Sequence, residues 1–343
     1  MKTIYLVTGG TGFLGNNVIR QLYQKGAHIR TLIRDREKAS RVFEDIAAGS
    51  NPGGLIEFVT GDARDEEALG KLFSAADNCE YIFIHTVSIV DITGYKYNRE
   101  MHDVNVNGTK AVLKICREKN IKRLVYVSSV HAITEPKNRA LTHEISDFNP
   151  DNVVGAYAKT KAQASAAVMA AVKDGLNAVM VHPAGIIGPD DYSNTHLTQM
   201  FIDYYRGRIP AGIKGGYDFV DVRDAASGII AATETGVPGS CWLLTNRYIG
   251  IGEFLDELYK NFRKKKISLA MPMWLARFSL PFLKLYFTLR GKRPLYTPYS
   301  LYTLRSNSNF CHEKADRELH YKPHDFKDTV KDTCEFLKRK EML

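Results

Sequence analysis

Short apolar runs of strand length recur along the first half of the chain, at residues 4–7, 29–33, 56–59, 81–85, 124–128 and 178–182, separated by longer stretches of helical periodicity. The first of these stretches places Leu14, Val18, Ile19 and Leu22 on one helical face. Strands alternating with helices predict an α/β fold built on a parallel, doubly wound sheet, with the ligand crevice outside the carboxyl ends of the strands. Glycine and Pro52 within 49–54 predict a loop ahead of the third strand. Beyond about residue 185 the regularity is lost, with Gly or Pro at 185, 188, 189, 207, 210, 212, 215 and 216, as expected of loops that line a cleft. No internal repeat or low-complexity tract interrupts the chain.

The first strand runs directly into Thr8-Gly9-Gly10-Thr11-Gly12-Phe13-Leu14-Gly15, and the helical face begins there. Strand, glycine turn and helix are the context in which such a motif binds a dinucleotide. Gly9 permits the tight turn, Gly12 lets backbone amides approach a pyrophosphate, and Gly15 lets the helix pack closely on its strand. Phe13 and Leu14 open the helix, whose positive end faces the phosphates. Far along the chain, Tyr157 and Lys161 stand four residues apart on a second helical stretch. Carbonyl reduction by a nicotinamide hydride creates an alkoxide that needs a proton as it forms. A free tyrosine, with a pKa of about 10, is a poor acid-base group at neutral pH. A lysine one helical turn away favours its phenolate and can bind the nicotinamide ribose. Ser129, at the end of the strand that precedes it, can donate a hydrogen bond to the substrate oxygen.

The TGxxGxxG spacing, the Ser128-Ser129 strand end and Tyr157-x-x-x-Lys161 together resemble the extended short-chain dehydrogenase/reductase superfamily. Within it the chain is most similar to dihydroflavonol 4-reductase-like and 3β-hydroxysteroid dehydrogenase-like enzymes. The resemblance implies a Rossmann-type sheet with a smaller, discontinuous substrate lobe: residues 1–184 and 217–244 in the nucleotide domain, 185–216 and 245–343 in the lobe. It implies Ser129 rather than Ser128 as the catalytic hydroxyl. Asp62, followed by Ala63, matches the residue that caps the adenine. Thr86, Val87 and Ser88 match the small-residue turn along the cofactor. Asn105 matches the superfamily's Asn-x-x-Gly-Thr helix start, and Pro183 through Ile186 matches the segment that orients the carboxamide. His182 stands where an arginine is common, which favours a packed histidine there. An alanine-rich helix around Tyr157 commonly builds a dimer in this superfamily, so the resemblance points to a homodimer, with a monomer that buries the same helix in its own core as the alternative.

Cofactor choice turns on the end of the second strand, Thr31-Leu32-Ile33-Arg34-Asp35. An arginine there suits the 2′-phosphate of NADP, whereas an acid suits the ribose of NAD. Arg34, with Arg36 and Lys38 nearby, favours NADP; a ribose-binding Asp35 would favour NAD.

Sugar-nucleotide epimerases and dehydratases share this core and are the alternative reading, with a tightly held NAD. Dehydratases typically carry Thr-Asp-Glu where this chain has Ser129-Val130-His131, and without those carboxylates an elimination lacks its acid and base. A diphosphate-gripping arginine is common where Tyr217 stands; Lys214 or Arg305 could replace it. A non-catalytic nucleotide-binding scaffold is the lesser alternative, disfavoured because Ser129, Tyr157 and Lys161 are all present. His131, two residues past Ser129, is close enough in sequence to approach substrate.

Composition adds little to the chemistry. The 343 residues are 44% hydrophobic and 25% charged, as in globular chains. Five scattered cysteines (Cys79, Cys116, Cys241, Cys311, Cys334) and ten histidines show no metal-ligand spacing, and no metal is expected. No leader precedes the first strand, so a cytoplasmic location is expected. The net charge of +9 attracts anions without choosing among them, and no nucleic-acid motif accompanies it. Part of it lies in Arg263, Lys264, Lys265 and Lys266 and in Arg290, Lys292 and Arg293, which bracket the apolar stretch 267–289. Pro272, Pro281, Arg277 and Lys284 argue against a spanning helix and predict two short helices broken at Pro281. This stretch is read as a substrate lid or a membrane-surface contact.

Overall fold

The computed structural model describes residues 2–47, 53–73, 79–91, 97–136, 140–289, 296–306 and 308–343, with backbone alone at 47 and 283–289. Twelve strands lie among them: β1 (Lys2–Thr8), β2 (His28–Ile33), β3 (Leu55–Thr60), β4 (Cys79–His85), β5 (Arg123–Val127), β6 (Ala178–Pro183), β7 (Gly185–Ile187), β8 (Gly212–Ile213), β9 (Gly216–Asp221), β10 (Cys241–Leu244), β11 (Arg247–Gly250) and β12 (Ala270–Met271). Seven form a parallel sheet in the order β10-β6-β5-β4-β1-β2-β3. The six expected strands are all in it, and β10 is the seventh. β5 stops one residue short of expectation, at Val127, although the Ser128 amide still donates to Val181 O at 2.8 Å.

Burial on both faces explains why these strands read as continuous apolar runs rather than alternating ones. Leu6, Phe83, Leu124, Tyr126 and Met180 point to one side, beneath the helices Gly108–Glu118 and Ala156–Lys173. Their neighbours Val7, Ile84, Val125 and Val181 point to the other, beneath Phe13–Gln24 and Val222–Ala231. Of the face read from Leu14, Val18, Ile19 and Leu22, the last three are fully buried there and Leu14 is half-buried.

Past β6 the chain builds a second, three-stranded sheet, β11-β9-β7, and the short parallel pair β12-β8. Phe201, Phe219, Phe254 and Phe326 form the core behind it. Of the stretch 217–244, β10 joins the central sheet and the Val222–Ala231 helix packs on Phe13–Gln24, while β9 lies between β7 and β11.

One expectation fails. Residues 273–289 form a single helix, Met273–Leu289, that runs through Pro281 instead of breaking there. An interior proline removes one backbone hydrogen bond and crowds the carbonyl one turn back. Both Pro281 and Arg277, which carries that carbonyl, are exposed, so water can serve the freed group. Of the loop expected at 49–54, residues 48–52 lie outside the described residues, as do Arg290, Lys292 and Arg293.

Candidate active site

Strand order reverses between β1 and β4, and the carboxyl ends of β1, β2, β4, β5 and β6 open onto the crevice this creates. Every site residue named from the sequence lies along that edge or in the Ala156–Lys173 helix beside it, apart from Asp62 and Ala63 after β3, Asn105 in the turn Asp103–Asn107 and Ile186 in β7.

The glycines of the β1 turn do different work. A Cβ on Gly9, whose φ is +82°, would come within 2.5 Å of Thr86 Oγ1, and one on Gly15 within 2.1 Å of the Gly9 carbonyl oxygen. Those positions are glycine for packing. Gly12 is not: a Cβ there would meet only Gly9 O, at 3.1 Å. It starts the Phe13–Gln24 helix with no side-chain cap and no acid in the first turn. An open backbone at the amino end of a twelve-residue helix fits an anionic pyrophosphate. Gly15→Ala is expected to cost about 1–3 kcal/mol, read as a lower thermal midpoint, because the clash is with backbone; an unchanged midpoint contradicts that packing.

At the end of β2, Asp35 caps the Arg36–Val42 helix by accepting from the Lys38 amide at 3.0 Å. Arg36 Nε donates to Thr60 Oγ1 and Lys38 Nζ to Ser193 Oγ, both at 3.1 Å. Arg34 is exposed and makes no hydrogen bond or ion pair among the described residues; its charge bears on Asp62. Asp62 is itself held by Arg64, whose Nε and Nη2 donate to its two oxygens at 2.9 Å each, and the pair draws its carboxyl below the usual range. Arg64, two positions on, was not singled out from the sequence, and Ala63 is buried between them.

Thr86 Oγ1 donates to Thr8 O at 2.8 Å and ties the β4 turn, with Val87 and Ser88, to β1. Asn105 sits in a wide π-type turn, Asp103–Asn107. Its Oδ1 accepts from the Ile89 amide at 2.8 Å and Ser88 Oγ at 3.2 Å, and its Nδ2 donates to Ile89 O and Thr160 Oγ1, both at 3.0 Å. One buried amide therefore fixes the β4 turn against the helix that carries Tyr157.

Tyr157 is buried, and desolvation pushes its phenol up to about 12, against the pull of hydrogen bonding to Ser129 and Ser88. Ser129 Oγ accepts from the His131 amide at 3.2 Å, which leaves its own proton to be donated toward Tyr157. The Ser128 hydroxyl instead turns inward to Ser165 Oγ at 2.7 Å. Lys161, one turn beyond Tyr157, is 2% exposed. Its Nζ donates to Val127 O at 2.8 Å and lies 5.1 Å from the Tyr126 ring centre, and burial lowers its pKa to about 7.

His182 is a packed residue: its ring stacks on Phe148, Nδ1 donates to Ser129 O at 3.2 Å, and burial lowers its pKa to about 4. Pro183 ends β6, and Ile186 pairs with Val220 in the second sheet. His131 occupies a place sequence alone does not give. Its ring meets Tyr157 edge-on at 5.9 Å, while the hydroxyls of Tyr217 and Tyr299 reach its Nε2 and Nδ1 at 3.0 and 3.4 Å. Burial holds it neutral, with a pKa near 4. It lines a cavity of about 210 Å³ whose walls mix apolar residues, Val130, Ile133, Val153 and Phe310, with polar ones, Glu135, Thr142, Asn152 and Ser306. Among the described residues no group of side chains could hold a metal ion.

This arrangement, a buried phenol flanked by two hydroxyls, with a buried lysine one helical turn on, beside the crevice at the strand ends, coincides with clear similarities. Residues 6–210 match the model of a 3-beta hydroxysteroid dehydrogenase/isomerase family. The chain is 28% identical to sterol demethylase protein B of Methylococcus capsulatus, over 98% of this chain and 99% of that one. It is 30% identical to a 4-hydroxy-2-methyl-3-oxo-4-farnesyl-3,4-dihydroquinoline-1-oxide ketoreductase of Stigmatella aurantiaca, over 70% and 67%. In fold it is similar to the UDP-glucose 4-epimerase of Thermotoga maritima, with a TM-score of 0.71 at 17% identity over 98% and 99% of the two chains.

Proposed function

The chain belongs to the 3-beta hydroxysteroid dehydrogenase/isomerase family of extended short-chain dehydrogenases/reductases, and from that premise we propose that it interconverts a carbonyl and a secondary alcohol on a small, fairly apolar molecule, using NADP in preference to NAD. The observation that carries the reading is the Ser129, Tyr157 and Lys161 cluster beside the open glycine turn. When bound, the nicotinamide supplies or accepts the hydride. The Tyr157 phenol gives its proton to the substrate oxygen as charge develops there, and the Ser129 O–H, directed at the phenol when substrate is absent, turns to steady the same oxygen. Lys161 has two ammonium protons not engaged with Val127, suited to ribose hydroxyls, and its charge favours the phenolate left behind. Gly12, Phe13 and Leu14 would face the pyrophosphate. An apolar substrate is consistent with the sterol and farnesyl groups in the names of two relatives.

The preference for NADP rests on Arg34, which has no other partner described, whereas Asp35 is spent on a helix cap. Nicotinamide absorbance followed with NADPH and NADH against panels of ketones, aldehydes and secondary alcohols is expected to show turnover, fastest with NADPH. Arg34→Ala is expected to weaken NADP binding about tenfold, by loss of a charge-assisted contact, and to leave NAD binding nearly unchanged. Equal losses for both would remove the phosphate role. Absence of turnover, together with interconversion of UDP-sugars by protein that purifies with NAD, would establish the epimerase alternative instead.

A further inference from the structure

We propose that the outer face of the Met273–Leu289 helix docks on an anionic lipid surface. Trp274, Phe278 and Phe282 are 70, 68 and 65% exposed and recur every four residues, so they form one stripe along the helix. Leu275 flanks the stripe, and Leu269, 68% exposed, precedes the helix. Ala276 on the opposite face is fully buried, and that side packs toward the Pro298–Thr303 helix. Scattered apolar residues on a surface call for no explanation; an exposed stripe of a tryptophan and two phenylalanines on one helix does.

The occupant is set by charge. Arg263, Lys264, Lys265 and Lys266 are all exposed immediately before Leu269, and Arg277 is exposed on the helix itself. Of the acids on the preceding helix, Ile251–Phe262, Glu253 pairs with Arg247 and Glu257 with Lys260, and Asp256 reaches Lys266 at 3.8 Å, so most of the basic cluster is uncompensated. Aromatic side chains with lysines and arginines alongside match the boundary of a bilayer bearing anionic headgroups. The helix lies on that boundary and does not cross it: its 17 residues span about 26 Å, they include Pro281 and Arg277, and no described helix is long and apolar enough to cross a membrane.

Docking there would bring the site close to the lipid. The Pro298–Thr303 helix, against which this one packs, carries Tyr299, and Tyr299 reaches His131 beside Tyr157. An apolar substrate leaving the bilayer would meet the cleft wall first.

The full chain is tested by sedimentation with phosphatidylcholine vesicles, with and without phosphatidylserine. Binding is expected to be at least tenfold stronger with phosphatidylserine, to fall as salt is raised, and to shift the emission of Trp274 to the blue; Trp242, fully buried, does not contribute. Phe278→Ser with Phe282→Ser, and separately Lys264→Glu with Lys265→Glu, are expected to abolish binding while the unfolding midpoint and turnover of a water-soluble substrate hold. Three results would overturn the proposal: no binding at low salt, equal binding to both vesicles, or a dimer in sedimentation velocity that the phenylalanine variant converts to monomer. The last would assign the face to a second copy of the chain. None of these outcomes bears on oxidoreductase activity, so the two readings fail independently.

Discussion

Tyr157→Phe is expected to lower kcat by about 10²-fold or more, with KM and cofactor affinity nearly unchanged. The substitution removes one oxygen and keeps the ring that packs edge-on against His131, so the pocket holds its shape. What is lost is the only phenol proton within reach of both Ser129 and Ser88 among the described residues. The direction of the pKa shift adds a pH test. Burial holds the phenol protonated, near 12, so in carbonyl reduction the acid itself should be lost only in strong alkali, and an inflection near neutral pH would belong to Lys161. Alcohol oxidation needs the phenolate and should rise with pH, and in the phenylalanine variant that rise should vanish. Near-normal turnover in the variant would remove Tyr157 from the chemistry.

Much of this site was legible because it is built from local signals at strand ends. Six apolar runs accounted for six of the central sheet's seven strands, all but β10, since strands buried on both faces need no alternation to be recognised. The glycine turn and the Tyr-Lys spacing are each contained within one turn or one helix. What escaped the sequence is contact across long intervals. His131 meets Tyr217 and Tyr299 over 86 and 168 positions, and nothing in either neighbourhood points to the other. Strands beyond the central sheet were missed for a related reason: β7 and β11, which flank β9 in the second sheet, and the separate pair β8 and β12 are two to four residues long, too short to display a period. Pro281 misled because the propensity against interior proline is strong, while the exposure that makes it tolerable is a property of the fold.

Lys161→Met is expected to act in opposite directions on activity and stability. Turnover should fall by about 10²-fold, since the phenolate loses its neighbouring charge, and cofactor binding should weaken as ribose donors disappear. The cofactor-free protein, however, should become more stable at neutral pH. An ammonium ion 2% exposed makes one hydrogen bond, to Val127 O, and lies over one aromatic ring; burial lowers its pKa to about 7. In the unfolded chain the same group titrates near 10.4. Between those values the unfolded state binds the extra proton, so stability from this residue rises with pH across that window; below about 7 the full cost of burying the charge is carried. That cost is on the order of a few kcal/mol, larger than the roughly 1 kcal/mol of a single hydrogen bond lost with the amine. Methionine keeps the apolar stem and sheds the charge. Its gain in thermal midpoint over the parent protein should therefore be largest at pH 6–7 and shrink toward pH ~10. A destabilised variant at pH 7, or a gain independent of pH, would mean that Lys161 is held by favourable contacts and is not a strained group kept for the reaction.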